Sequence, residues 1–182
     1  NAADELREQV FSKIDRVVLT SATLTTHKGF EFIQERIGFE PQEQSIQDSP
    51  FDYTSQALLY ISGDLSEPSE KLEKYASEMA TRCGELVEIS QGRTFILFTS
   101  YALMNEVFDR LKHLSSKLQL LKQGEIPTGQ MIRRFKETPS VIFGTNSFWQ
   151  GVDIPGEALK SVIITKLPFD VPSEPLTEAR IE

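Results

Sequence analysis

Leu6, Val10 and Ile14 recur at helical spacing near the start of the chain and predict a helix over residues 2–13. The pattern then changes. Residues 16–20 (Arg-Val-Val-Leu-Thr) form a short, mostly apolar run, which predicts a buried strand. Phe30, Ile33 and Ile37 predict a helix over residues 28–37, with Gly38 as its stop. Residues 49–53 (Ser-Pro-Phe-Asp-Tyr) read as a loop punctuated by Pro50. Residues 57–61 (Ala-Leu-Leu-Tyr-Ile) read as another compact strand. Leu72, Tyr75, Met79, Cys83, Leu86 and Ile89 mark the inward stripe of a long amphipathic helix over residues 69–90.

After Gln91-Gly92, residues 93–99 (Arg-Thr-Phe-Ile-Leu-Phe-Thr) give the clearest buried strand of the chain. A helix over 102–114, a strand over 118–121, a helix over 128–136 and strands over 141–144 and 161–165 follow. The apolar runs of these strands are continuous instead of alternating, as in strands buried on both faces. Alternation of such strands with helices predicts an α/β fold: a three-layer domain with a mostly parallel central sheet, helices on both faces and right-handed crossovers. Function in such a sheet sits in loops beyond the carboxyl ends of the strands. Each short motif of interest in this chain falls there.

Length and composition narrow the class. A chain of 182 residues suggests one domain of ordinary size with a short extra segment. It is long enough to bury roughly 70% of its unfolded surface without staples. The single cysteine, Cys83, rules out an internal disulfide and a cysteine-rich metal site, and it suits a cytoplasmic protein. His27 and His113 lie far apart in sequence and do not suggest a metal site. No apolar run approaches the roughly 20 residues of a membrane span, so no membrane partner is expected. Asn1 and Glu182 both look like cut ends, and the chain reads as part of something longer. A net charge of −8 speaks against a free-standing nucleic-acid binder. A half-site, however, needs only a few local contacts, and a partner half could carry the basic surface.

Phosphoryl-transfer chemistry lacks its usual residues. A phosphate-binding loop requires a lysine for the phosphates and a hydroxyl for Mg²⁺. The nearest pattern is Gly151-Val-Asp-Ile-Pro-Gly156-Glu157-Ala158, in which a carboxylate replaces the lysine and would repel a triphosphate. Asp4-Glu5-Leu6-Arg7 resembles a metal-holding acidic box only in its letters, because acidic residues suit the first turn of a helix. The chain alone is therefore expected not to hydrolyse ATP.

The positive signal is a series of motifs at strand ends. Thr20-Ser-Ala-Thr-Leu24, Phe98-Thr-Ser-Tyr101 and Gly144-Thr-Asn-Ser-Phe-Trp-Gln-Gly-Val-Asp-Ile-Pro-Gly156 each follow a predicted strand. Ser49-Pro-Phe51, Lys122-Gln-Gly124 and Lys166-Leu-Pro-Phe169 lie between and after them. In this order, over nearly the whole chain, they resemble the DinG family, the XPD-like branch of superfamily 2 helicases. The resemblance implies a RecA-like fold and a place in the second of two motor lobes, with ATP between them. Residues 1–48 would lead in from the first lobe and carry motif III. Residues 49–182 would form the second lobe, ending before the arginine finger of motif VI. Whether residues 20–24 pack with this lobe or form the last strand of the first is left open by the sequence.

Roles follow from the resemblance by position. Ser21 and Thr23 fall in motif III and Thr99, Ser100 and Tyr101 in motif IV. Residues 146–153 form motif V. Single-stranded DNA is the implied partner of Ser21, Thr23, Thr99, Ser100, Tyr101, Ser147 and Trp149. Thr145, Gly151 and Asp153 would face the ATP interface, with Asp153 and Gln150 as the catalytic candidates. ATP and Mg²⁺ would be held mainly by the first lobe, the implied partner in the same chain. Hydroxyls and glycines at strand ends suit such roles, because they offer donors to phosphate oxygens and close backbone approach. Each residue also has a plainer structural role open to it. A Ser or Thr after a strand commonly caps a helix, Trp149 can pack under its loop, and Asp153 can close a turn. Tyr101 and Phe148 suit a core, Arg133-Arg134 a solvated face, and Gln123 an ordinary loop position. Gln150 departs from the family, which usually has Glu there. Two rival classes remain: an interaction module that kept the lobe and lost catalysis, and a small-molecule enzyme. The second would need a glycine-rich dinucleotide turn that is absent here.

Overall fold

The computed structural model describes residues 2–26, 29–66, 72–149 and 151–168. The chain divides into two compact units, Asn1–Leu59 and Tyr60–Glu182.

The first unit is helical. α1 (Ala2–Gln9) is followed by a 3₁₀ turn at Phe11–Lys13, so the predicted helix over 2–13 is split near Val10. α2 (Glu31–Ile37) ends on Gly38, whose φ of 68° is left-handed and whose N–H donates to the Gln34 carbonyl at 2.8 Å. A side chain at Gly38 would also collide with the Ala3 carbonyl, so both its φ and its packing against α1 require glycine. The short α3 (Tyr53–Gln56) is capped by Asp52, which accepts from the Thr54 N–H at 3.2 Å. Hydrogen bonds from the Ser55 hydroxyl, and then from that of Thr54, hold the Asp52 carboxyl below its usual range.

Two predicted strands do not form. Residues 16–20 and 57–61 have no ladder partner among the described residues, and Val18, Leu58, Leu59 and Ile61 are 79–93% exposed. An apolar run states a preference for burial, whereas a strand also needs a neighbour to receive its hydrogen bonds.

The second unit carries the predicted parallel sheet. α4 (Leu72–Ile89) buries Tyr75, Ala76, Met79, Ala80, Cys83 and Val87 at helical spacing. Leu72 and Ile89, predicted to face inward, are exposed because they are the terminal residues of the helix. Then come β1 (Thr94–Leu97), α5 (Tyr101–Leu111), β2 (Gln119–Lys122), α6 (Thr128–Glu137), β3 (Ser140–Gly144) and β4 (Ser161–Ile164). All pairings are parallel and the spatial order is β2-β3-β1-β4. β1 and β3 are central and fully buried. β4 is an edge strand with Val162 and Ile164 about half exposed, so the sheet is less fully covered there than predicted.

The core has two layers. On one face, α4 and α5 close over Ile96, Phe98, Val141 and Phe143. On the other, α6 supplies Met131 and Phe135 against Phe95, Leu97 and Ile142, joined by Phe148 and Ile154 from the segment between β3 and β4. Burying each such large side chain contributes about 1.5–3 kcal/mol. The outcome is the predicted α/β three-layer arrangement, consistent with a RecA-like domain.

Candidate functional site

All four strands run the same way, so the loops after β1, β2, β3 and β4 emerge along one edge of the sheet. The connection after β1 turns to the α4–α5 face, and the one after β3 turns to the α6 face. Neighbouring strands whose connections diverge leave a crevice at their carboxyl ends, where α/β sheets place ligands. Residues 98–101 and 144–149 border that crevice.

Gln123, the first residue past β2, ties these loops together. Its Oε1 accepts the Thr145 N–H at 2.6 Å and the Thr145 hydroxyl at 3.0 Å. Its Nε2 donates to the Tyr101 hydroxyl at 3.0 Å and to Ser147 Oγ at 2.8 Å. The backbone N–H of Thr145 can only donate, so the oxygen must face it, and the amide orientation is fixed. Gln123's own N–H donates to the Phe143 carbonyl, seating the residue at the end of β3. Both amide atoms are thus fully used, and three candidate residues from two loops meet at one side chain. By sequence Gln123 suits an ordinary loop position, and the structure makes it the point where these loops meet. The available signal was a long amide beside Gly124 immediately after a strand.

The other candidates fall into different situations. Ser100 caps α5: its hydroxyl accepts the Leu103 N–H at 3.3 Å, the plainer of its two predicted roles. Thr99 beside it is half-buried, and its hydroxyl has no partner among the described residues. Tyr101 is 54% exposed, a correction to its assignment as a core residue. Trp149 is half-buried, packs against the α6-side cluster and donates its indole N–H to the Phe98 carbonyl at 3.2 Å. The N–H edge of the ring is therefore engaged in holding the loop to the end of β1.

Backbone geometry at the β3 end depends on Gly144. A Cβ there would lie 2.7 Å from the Phe148 ring, so glycine lets Phe148 fold back under the loop into the core. Residues 146–148 form a 3₁₀ turn, closed by the Phe148 N–H to the Thr145 carbonyl at 2.8 Å. Gln150 lies outside the described residues. Gly151 has a φ of 75° and open space around it. Asp153 is exposed, with no hydrogen bond or ion pair to any described residue, while Ile154 anchors the segment in the core. A second bond set fixes the β4 end. Thr165, buried, donates its hydroxyl to the Leu97 carbonyl at 2.9 Å, and the Tyr75 hydroxyl donates to the Thr165 carbonyl at 2.5 Å. Burial, and then the nearby Cys83, raises the Tyr75 phenol above its usual range. Lys166 to Pro168 beyond it are exposed, and Phe169 lies outside the described residues.

Ser21 and Thr23 belong to the first unit. Their hydroxyl oxygens are 3.3 Å apart, and the Thr23 N–H donates to Ser21 Oγ at 3.2 Å, which makes a local exposed turn. Arg133 and Arg134 on α6 are exposed and carry no ion pair to the described residues.

Asp153 offers an exposed carboxylate without a partner among the described residues, and a side chain at Gly151 would meet nothing. Among the described residues no group of three or more His, Cys, Asp or Glu is placed to hold a metal ion. No helix among them is long and apolar enough to cross a membrane.

Comparison with known proteins gives a consistent result. The profile of the helicase C-terminal domain family matches residues 83–182. The chain is 39% identical over 181 residues to the ATP-dependent DNA helicase YoaA of Haemophilus influenzae, an alignment covering 99% of this chain and 28% of that protein. It is 36% identical over 186 residues to the 3'-5' exonuclease DinG of Bacillus subtilis, covering 97% of this chain and 20% of that protein. It is 34% identical over 187 residues to the ATP-dependent DNA helicase DinG of Photobacterium profundum, covering 97% and 27%. The chain thus spans between a fifth and three tenths of the length of these curated relatives.

Proposed function

Because the chain belongs to the helicase C-terminal domain family, among its DinG-like members, we propose that it serves as the second motor lobe of an ATP-dependent DNA helicase. The observation that carries this reading is the meeting of three strand-end loops at the Gln123 amide, in the crevice where the connections of β1 and β3 diverge. A motor lobe needs that arrangement. Residues facing the nucleotide must be mechanically linked to residues facing the DNA strand.

In this reading Gly151 and Asp153 face the nucleotide, with Asp153 orienting a ribose hydroxyl or a neighbouring arginine and Gln150 a further candidate by its place in the sequence, while Thr145, buried with its N–H and hydroxyl engaged by Gln123, is held behind them. Thr99, Tyr101, Ser147 and Trp149 face single-stranded DNA, with Ser100 holding α5 in place beside them. Ser21 and Thr23, in the first unit, are read separately as candidates for a DNA contact of their own. Bound ATP, with Mg²⁺, supplies the free energy of phosphoryl transfer to water. The lysine and metal ligands for that step come from the first lobe. The lobes close on ATP and release after hydrolysis, a hinge motion of the kind that drives many such machines. The chain alone is inactive.

The test is ATP hydrolysis by the full-length protein, with and without single-stranded DNA, for wild type and Asp153→Ala. DNA-stimulated turnover that disappears in a folded Asp153→Ala variant supports the reading. Wild-type turnover in that variant removes Asp153 from the site. A wild type with no turnover replaces the motor with an interaction module on an inherited scaffold.

A further inference from the structure

We infer that the Tyr101 and Ser147 hydroxyls, oriented by Gln123, form a neutral two-donor clamp for one backbone phosphate of single-stranded nucleic acid. The inference rests on the proposed DNA-facing role of this edge, and deepens it. The reasoning begins with proton bookkeeping. A hydroxyl has one proton to donate and lone pairs to accept with. Both hydroxyls accept from the same Gln123 Nε2, at 3.0 and 2.8 Å. Each therefore keeps its own proton free, and no other side-chain partner among the described residues takes it.

Geometry sets what the pair can hold. The two N–H bonds of an amide diverge at about 120°, so the two hydroxyl oxygens sit about 5 Å apart. Two O–H···O⁻ bonds reaching back to a pair of non-bridging phosphate oxygens span a similar distance. Both residues are exposed, so the clamp opens to solvent. The other end of the amide is locked. Oε1 is held by the N–H and the buried hydroxyl of Thr145, which prevents the amide from flipping and presenting acceptors outward. Gln123 is thus a positioning residue, and it touches the phosphate only through the two hydroxyls. A neutral clamp also suits a chain of net charge −8, because it binds a phosphate without requiring a local basic patch. It reads no base, as a translocating strand requires.

Neutral donors leave a distinct salt signature. Affinity that comes from lysine and arginine falls with salt at a slope set by the number of phosphates they neutralise. Loss of a hydroxyl lowers affinity at every salt concentration and leaves that slope unchanged. The experiment measures binding of a fluorescein-labelled oligodeoxythymidylate to the full-length protein by anisotropy, across a salt series. Tyr101→Phe keeps the ring and Ser147→Ala removes only the hydroxyl, and both side chains are exposed, so neither change opens a hole in the core. Each is expected to weaken binding by about tenfold, in line with a hydrogen bond to a charged group, with an unchanged salt slope. Gln123→Leu is expected to match the Tyr101→Phe/Ser147→Ala double variant, and the triple variant to lose nothing further. Wild-type affinity in both single variants overturns the clamp, as does a loss accompanied by a shallower slope. A triple variant in which the Gln123 effect adds in full overturns its positioning role. A wild type that binds no oligonucleotide overturns the DNA-facing role itself, which is a separate failure from that of the clamp.

Discussion

Gln123 Oε1 accepts two hydrogen bonds from the same residue, the N–H of Thr145 at 2.6 Å and its hydroxyl at 3.0 Å. A loop leaving one strand is thereby fixed to the first residue past its neighbour. Thr145→Val keeps the shape and the N–H bond and deletes the hydroxyl. A neutral hydrogen bond contributes about 0.5–1.5 kcal/mol net, and a loss of that size is expected in urea unfolding of the chain. A larger loss, with altered far-UV circular dichroism, would mean that the hydroxyl holds the whole β3 end and not one bond.

Gly144 and Phe148 give a second expectation. A Cβ at Gly144 would approach the Phe148 ring to 2.7 Å, and Phe148 is buried among Phe95 and its neighbours. Gly144→Ala must push Phe148 outward or distort β3, at a cost of about 1–3 kcal/mol for overpacking. The companion change Phe148→Ala should recover part of that loss relative to the sum of the two single changes, since it removes the Cγ and Cδ2 contacts at 2.7 Å and leaves only the Cβ contact at 2.8 Å. Independent, additive effects of the two substitutions in a double-mutant cycle would show that the collision is relieved elsewhere.

The second unit was readable from the sequence because its strands are short, continuous and apolar, separated by helices with one inward stripe. The runs that became β1 and β3, with Phe95, Ile96, Ile142 and Phe143, state their burial directly. Residues 16–20 and 57–61 carry the same kind of run and did not become strands, because pairing is a property of two segments and a run describes only one. The site was readable as a set of strand-end hydroxyls, but not as an arrangement. Ser100 and Thr99 look alike in sequence, yet the first hydroxyl is used as a helix cap and the second has no partner among the described residues. Gln123 carries no local sign of its role because that role lies in reach: its four bonds go to residues at least 22 positions away along the chain.

Ser100 offers a direct way to separate capping from ligand contact. Its hydroxyl accepts the Leu103 N–H at 3.3 Å at the start of α5. Ser100→Ala is expected to cost about 1 kcal/mol of stability through the lost cap, while Ser100→Asp, which can still accept that bond, restores most of it. Oligonucleotide affinity of the Ser100→Ala variant should equal wild type. A clear loss of affinity at unchanged melting temperature would return the hydroxyl to the DNA-facing set.

Cys83 ties stability to alkaline pH. It is fully buried on α4, and burial pushes its thiol from 9.0 up to about 12. In the unfolded chain the thiol loses its proton near its ordinary value, so above that pH the unfolded state binds fewer protons than the folded one. Stability that depends on Cys83 is therefore complete below pH 9, and it falls as pH rises from 9.0 towards about 12. Tyr75, whose phenol is also raised, titrates in the same region, so the informative quantity is a difference between proteins. Cys83→Ala should be less stable than wild type at neutral pH, because it leaves a cavity. Its stability should then fall less steeply above pH 9, by about 1.4 kcal/mol per pH unit. In the native chain the thiol should resist a thiol-specific reagent at pH 8 and react only as the second unit unfolds. Rapid modification of folded protein, or parallel stability curves for the two proteins above pH 9, would show that the α4 face over the sheet opens readily to water.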